Sequence, residues 1–594
     1  MGVAGFYKWL KTLSEGSFSR PTRPRAFDHI YVDGNFYLYR SSLHASLGVT
    51  GDWNRAKSNA VSGLAFQYIN RSMGLFRPRR SLFVALDGSA GWAKILTQRA
   101  RRQHRGALAE LTNIPSNHFT PGTNFMIRLE DHLIYHSCRF LLSHSLPEVT
   151  VSSSCVPGEG EGKIVASIAR RQRRSKSSDS FLIMSGDSDV VLQVIAAKLA
   201  NTLVYSTVSK ELCDPSTFVN TIPTRFPACN PDRITRDFCL IALLSGNDYL
   251  PKLRYLPPPK VWERYCEYRE ENQDQPCQDY LVSEDLTSIN LSLLYRLASG
   301  KSFKHASRRS PGPRLKKVHT SAPVAEDGSA ASEMGSPIQT KDILRVYLNA
   351  LIWNLRIYVL GDDRASRFVY PQQISPDHRL IEWGLEEFLK ALESGDESME
   401  GFFSLQPQSE PMPTALCAVA LLPHKDKKLL PQPLHSLFEQ FHKRADARPT
   451  PLSLIQDLEW LESEGIKQLE KYPELAIVAA PGDPTTITLD WNRPAITGLQ
   501  RDMPDGYEWK RQVEENGFRF FRETYEPPPE GCFSFDQAVK REAITWRELG
   551  CASARLYESD LEASPSRHSA DLVLQLTPDD SNPFAGLQTL VLKE

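Results

Sequence analysis

Ser180-Phe-Leu-Ile-Met-Ser-Gly-Asp187 is an apolar run between two serines, closed by a glycine and an acid. A short continuous apolar run bounded by turn residues reads as a strand buried on both faces, because a strand with one wet face alternates. Working outward, His29-Ile-Tyr-Val-Asp33 and Ser81-Leu-Phe-Val-Ala-Leu-Asp87 repeat the pattern. The stretches Asn59 to Met73, Ala93 to Leu111 and Asn124 to Leu142 carry helical spacing. Strands that alternate with helices predict an α/β fold, a mostly parallel central sheet flanked by helices. Ligands of such sheets bind beyond the carboxyl ends of the strands. All three runs put an aspartate there.

The chain has 594 residues, 41% of them hydrophobic, so a large core is within reach. Its net charge of −1 excludes a bulk polyanion binder; any nucleic-acid contact must rest on local charge. The ten cysteines show no CxxC pair and read as reduced thiols. No apolar run is expected to reach the length of a membrane span. Phe6, Trp9, Leu10 and Leu13 share one side of an amphipathic first helix.

Val156-Pro-Gly-Glu-Gly-Glu-Gly-Lys163 holds two acids one glycine apart in a tight loop. Such a loop aims two carboxylates at one point while its backbone passes close to a ligand. Asp187-Ser-Asp189 repeats the spacing at a strand end. A further apolar helix, Asp237 to Leu244, is stopped by Gly246 and presents Asp248 in the turn, with Asp237 read as its cap. One Asp after a strand is explained as a turn or helix cap. Two spaced pairs, Glu159/Glu161 and Asp187/Asp189, together with Asp33, Asp87 and Asp248, are not. Unpaired like charges at one site would force several acids to protonate. Divalent cations remove that difficulty, and hard oxygen donors suit Mg²⁺ or Mn²⁺.

After Asp87, Lys94, Gln98, Arg101 and Arg102 fall on one helical face. Forked arginine donors, a lysine point charge and an amide suit a terminal phosphate, while a solvated charged helix is the plain alternative. Arg99 and Arg105 are read as solvated. Arg170-Arg-Gln-Arg-Arg174 reads as an exposed helix end.

Taken in order, Val32-Asp-Gly-Asn35, Asp87-Gly-Ser-Ala-Gly-Trp-Ala-Lys94 with Gln98 to Arg102, Thr120 to Met126, Val156 to Lys163, Gly186 to Asp189 and Ser245 to Pro251 resemble the Xrn family of 5′→3′ exoribonucleases, related to PIN-like and flap nucleases. A weaker likeness continues in Tyr347 to Trp353 and Pro411 to Pro423. The resemblance implies a PIN-like core in which Asp33, Asp87, Glu159, Glu161, Asp187, Asp189 and Asp248 hold two Mg²⁺ ions. It implies that Lys94, Gln98, Arg101 and Arg102 bind the 5′-monophosphate of single-stranded RNA. Asn35, Tyr39, Lys163 and Trp353 are carried over as further substrate contacts, although a Trp in an apolar helix is more often core. Departures from the family pattern stand at Tyr39 (family His), Gly162 (family His), Gly91-Trp92 (family Pro-Arg) and Cys155 (family acid).

The expected organisation is a nuclease core over 1–254, a helical extension over 255–301, a flexible linker over 302–338, and a mainly helical region with its tail over 339–594. A protein partner is expected on the C-terminal half, with no membrane association, a monomeric state, and location in nucleus or cytoplasm. Two other readings stand beside the exoribonuclease: a flap endonuclease on DNA and a catalytically silent RNA-binding scaffold. The first lacks a Gly-rich hairpin after Asp248. The second would show lost acids, and none is lost.

Overall fold

The computed structural model describes most of residues 3–472. Its larger gaps are 49–54, 106–115, 301–339 and 361–366, and beyond 472 it describes five short strands. The expected linker 302–338 therefore lies outside the described residues. The chain forms two compact units that interleave along the sequence. One comprises Met1–Glu15, Thr217–Asp362 and Val369–Pro407; the other comprises Gly16–Ser216, Asp363–Phe368 and Gln408–Glu594.

The second unit carries the sheet. Its strands are β1 (Phe18–Ser19), β2 (Arg25–Asp33), β3 (Phe76–Ala85), β4 (Glu148–Ser152), β5 (Phe181–Ser185), β6 (Thr202–Ser206) and β7 (Leu212–Cys213). They lie in the order β1-β7-β6-β5-β2-β3-β4. The pairs β2–β3, β2–β5, β3–β4 and β5–β6 are parallel; β1 and β7 are antiparallel additions at one edge. The α/β class and the mostly parallel sheet thus hold. All five residues of β5 are buried, which is why its sequence shows no alternation. Ile30, Val32, Leu82, Val84, Val149, Val151, Leu182 and Met184 meet in one core beneath the helices.

From the central β2 the chain runs outward through β3 and β4, then returns to the other side of β2 through β5 and β6. The order reverses between β2 and β5, and a crevice at the carboxyl ends of the strands follows from that reversal.

β4 reads in the sequence as a Ser/Thr-rich run; Val149 and Val151 are the apolar positions that seat it. Beyond β4 the sheet continues with an antiparallel strand, Thr485–Asp490. The tail therefore contributes strands to a region expected to be mainly helical.

In the first unit, the opening helix α1 (Phe6–Leu13) buries Phe6, Trp9 and Leu10, as its spacing predicts. Trp9 and Phe6 pack on Phe238, at ring-centroid distances of 5.1 and 6.2 Å. The helix holding Phe238 starts at Pro231, not near Asp237, and Asn230 caps it by accepting from the Asp232 and Arg233 backbone N–H groups. Asn230-Pro231 is the start signal of this helix. Asp237 is therefore a helix-interior side chain. It is wholly buried and accepts from the backbone N–H groups of Leu281 (2.9 Å) and Val282 (2.8 Å) and from the Tyr265 hydroxyl (2.5 Å). Arg269 stands 3.7 Å away. Burial raises the Asp237 carboxyl to about 6 against those stabilising contacts. Asp237→Asn is expected to lower stability by about 3 kcal/mol, because it leaves Arg269 buried without its counter-charge. An unshifted urea midpoint would show that this contact carries no stability.

Two expectations fail here. Cys229 and Cys277 form a disulfide, while Cys155, Cys213, Cys239, Cys266 and Cys417 are buried thiols outside any disulfide. Ile343–Leu360 is long and apolar enough for a membrane span, with a mean hydropathy of 1.3, although more than half of it is buried inside the protein. Tyr347, Leu351 and Leu355 in that helix are core residues.

Candidate active site

Six of the seven acids belong to the second unit, at or just beyond the carboxyl ends of β2, β3, β4 and β5. Asp33 closes β2. Its Oδ1 accepts from the Asn35 backbone N–H (3.1 Å) and its Oδ2 from the Ser185 hydroxyl (3.0 Å). Ser185 also accepts from the Asp187 N–H at 3.1 Å, and Asp187 Oδ1 accepts from the Asp189 N–H at 3.2 Å. The two central strand ends are thereby tied together.

On the other side, Asp87 Oδ1 accepts from the Gly160 N–H at 2.8 Å. A Cβ placed on Gly160 would lie 3.4 Å from Asp87 Oδ1 and 3.6 Å from Asp33 Oδ1, so both carboxylates face this one glycine. The loops themselves are clasped. Gly88 donates its N–H to Gly158 O, and Gly158 donates to Ser89 O, each at 2.8 Å. Lys163 donates to the carbonyls of Leu86 (2.7 Å) and Ser153 (2.9 Å). It holds the ends of β3 and β4 in place, a role that no local pattern in the chain announces.

Burial, then Asp87 and Asp187, raise the Asp33 carboxyl to about 7. Burial raises Glu161 well above the carboxylate range, and Asp33, Asp87, Glu159 and Asp187 add to it. Such acids are stable when neutral or when a cation shares the site. The donor chemistry fits a hard divalent cation. Asn35 Oδ1 supports this, being a buried acceptor beside Asp33 with no hydrogen-bond partner among the described residues. No three His, Cys, Asp or Glu side chains among the described residues stand together as a metal cage.

Because Asp33 is harder to ionise in the fold, its neutral form stabilises the metal-free protein below about pH 4, and that contribution is lost as pH rises through 7. The expected loss is ~3–4 kcal/mol. Melting temperatures at pH 5 and pH 8 should diverge without Mg²⁺ and converge with it; equal melting in both conditions would argue against these carboxyls as a cation site.

The basic face sits on α4 (Trp92–Arg105), directly after the Asp87 loop. Lys94 reaches Glu159, with its ammonium 3.1 Å from the carboxylate oxygens, and so couples the two features. Gln98, Arg101 and Arg102 are half-buried. Arg99 is a correction: it is 4% exposed, donates to Ala420 O at 2.7 Å and lies over Phe441. Burial lowers its pKa. It ties α4 to Thr414–Leu421, a helix whose every residue is buried. The Arg105 side chain lies outside the described residues.

Tyr39 is 43% exposed and meets Phe119 edge-on, with centroids 5.3 Å apart. Gly162 has open space where a side chain would project, whereas Trp92 and Cys155 are buried. In the first unit, Asp248 is 8% exposed in the turn after Gly246. Trp353 is 6% exposed and meets Tyr249 edge-on, the placement of a core side chain.

With this geometry in view, residues 1–205 match the family described as XRN 5′-3′ exonuclease N-terminus. Over those residues the chain is similar to the Xrn family. It is 29% identical over 256 residues to the 5′-3′ exoribonuclease 2 homolog of Caenorhabditis briggsae, covering 34% of this chain and 26% of that protein. It is 26% identical over 305 residues to the human 5′-3′ exoribonuclease 1, covering 43% of this chain and 18% of that protein. It is 33% identical over 246 residues to the 5′-3′ exoribonuclease 2 of Candida albicans, covering 33% and 25%. The aligned part thus spans about a quarter or less of these relatives' length. The matched residues 1–205 contain β2 to β5 and six of the seven acids, all but Asp248.

Proposed function

We propose that the protein is a 5′→3′ exoribonuclease acting on single-stranded RNA with a 5′-monophosphate and releasing 5′-mononucleotides. The observation that carries this reading is the convergence of mutually raised carboxyls on the loop around Gly160, with Lys94 joining that loop to a basic helix face. The names of the similar proteins support the same activity.

Asp33, Asp87, Glu159, Glu161, Asp187 and Asp189 would hold two divalent cations, Mg²⁺ or in its place Mn²⁺. Such ions, when bound, neutralise phosphate charge and supply hydroxide at neutral pH. The chain's own residues perform the rest. Lys94, Gln98, Arg101 and Arg102 grip the terminal phosphate and set the distance to the first internucleotide bond. Lys163 keeps the acid loops in register, and Asn35 orients groups beside Asp33. Tyr39 offers a ring on which a leading base stacks.

Incubation with Mg²⁺ should release mononucleotides from 5′-monophosphate RNA and roughly 10–100-fold more slowly from 5′-hydroxyl RNA, given about 1.5–3 kcal/mol for a charge-assisted contact. RNA with a 5′-triphosphate should resist as well. Equal rates on all three ends would overturn the end-recognition role of α4.

A further inference from the structure

A second cationic cluster gathers around Tyr68. Arg40 stands on α2 (Gly34–Gly48), two helical turns beyond Asp33. Its guanidinium carbon is 4.8 Å from the centre of the Tyr68 ring, and that of Arg71 is 5.8 Å from the same ring. Tyr68 and Arg71 belong to α3 (Arg55–Ser72). Lys210, in the turn between β6 and β7, lies within electrostatic reach of Arg40. Both burial and the nearby Arg40 charge hold its ammonium below the ordinary lysine range. Among the described residues, none of the three cations is paired with a carboxylate. Like charges gathered without a counter-charge repel one another, and an anion that reaches all of them removes that repulsion.

The turn is built to hold Lys210 there. Its backbone is left-handed, with φ of 60°, and its N–H donates to Ser206 O at 2.9 Å. Strained residues of this kind persist where the surrounding structure over-determines them, often at functional sites. Thr207 donates its N–H to Ser185 O at 2.8 Å, which fixes the turn to the strand end that precedes Asp187. Val208 at the tip is 67% exposed.

The sheet order gives the cluster its meaning. Reading across the carboxyl ends from β3 to β2, β5 and β6, one passes α4's phosphate-binding face, then the acids, then the Lys210 turn. A strand whose 5′-phosphate lies on α4 and whose first internucleotide bond lies over the acids continues toward β6. We infer that Arg40, Arg71 and Lys210 form a second phosphate-binding site, which takes the sugar–phosphate backbone of single-stranded RNA downstream of the bond to be cut, with Tyr68 holding the two guanidinium groups in place. This rests on the proposed exonuclease reading, whose own test is the 5′-end dependence above.

The test is RNA binding by the full chain in EDTA, where no turnover is needed. A long 5′-phosphorylated oligouridylate and uridine 5′-monophosphate are titrated at several salt concentrations into wild type and the Arg40→Gln/Lys210→Gln double variant. Each phosphate contact contributes about 0.7 to the salt slope for single strands, so two lost contacts lower the slope by about 1.4. Between 50 and 200 mM salt, wild type should then lose about sevenfold more affinity for the long RNA than the variant does. The mononucleotide should show no such difference. Arg40→Lys/Lys210→Arg keeps the charges and should keep the wild-type slope, which separates lost charge from a damaged fold. Equal slopes in wild type and a folded double variant, or equal losses for the long RNA and the mononucleotide, would overturn the inference. So would an effect seen only with anionic lipid vesicles in place of RNA.

Discussion

Replacing Asp187 and Asp189 together by alanine should abolish release of mononucleotides in Mg²⁺, with a drop of at least about 10³-fold. Cation-dependent stabilisation of developing charge is worth several kcal/mol, and each 1.36 kcal/mol is a factor of ten. The fold should survive. Asp187 and Asp189 are half-buried, and the bonds from the Asp187 N–H to Ser185 and from the Asp189 N–H to Asp187 stay within one turn. Removing like charges next to Asp33 and Glu161 also relieves repulsion in the metal-free protein, since Asp187 is among the charges that raise both groups. The double variant should therefore melt no lower than wild type in EDTA while losing the stabilisation that Mg²⁺ gives. Full turnover by the variant would remove these acids from the site; a collapsed melting temperature in EDTA would make them structural.

Gly88→Ala should do the opposite and break the structure of the site itself. A Cβ at Gly88 would fall 1.8 Å from the Val156 carbonyl oxygen and 3.1 Å from the Ser154 carbonyl oxygen. Both are backbone atoms, so no rotamer change relieves the clash. The Asp87 loop and the Gly-Glu-Gly-Glu loop would have to separate, and the reciprocal Gly88–Gly158–Ser89 hydrogen bonds would be lost. Overpacking of this kind costs about 3 kcal/mol or more, and the displaced Asp87 would leave the Gly160 N–H. Differential scanning should show a melting point lower by about 4 °C for a unit of this size. Mg²⁺ stabilisation should fall with it. Gly162→Ala makes the control, because open space surrounds that position; similar losses at both glycines would show that the clasp is not what matters.

How much of this was legible beforehand follows from the range of each signal. The β2, β3 and β5 runs are continuous and apolar, and burial on both faces leaves that mark locally. The acids beyond them were legible for the same reason, since a carboxylate after a buried strand is at odds with its neighbours. β4 was not read as a strand, because serine and threonine dilute its two valines. Arg99 was read as solvated although its long side chain is buried, and nothing in the helical spacing of α4 announces Ala420 or Phe441, more than three hundred positions along the chain. Asp237 looked like a cap until its helix proved to begin at Pro231. The disulfide between Cys229 and Cys277 joins positions 48 apart with no motif around them.

By itself the sequence determined the alternation of strand and helix, the acids at the strand ends and the cationic face of α4, because periodicity and residue type record local burial and local charge. Only the tertiary structure decided which of those groups meet. It brought Asp33 and Asp87 to Gly160, turned Lys163 onto the strand ends, and set Arg40 and Arg71 over the Tyr68 ring. Those meetings depend on the order of strands in the sheet, and strand order is fixed by long-range packing that no local pattern in the chain records.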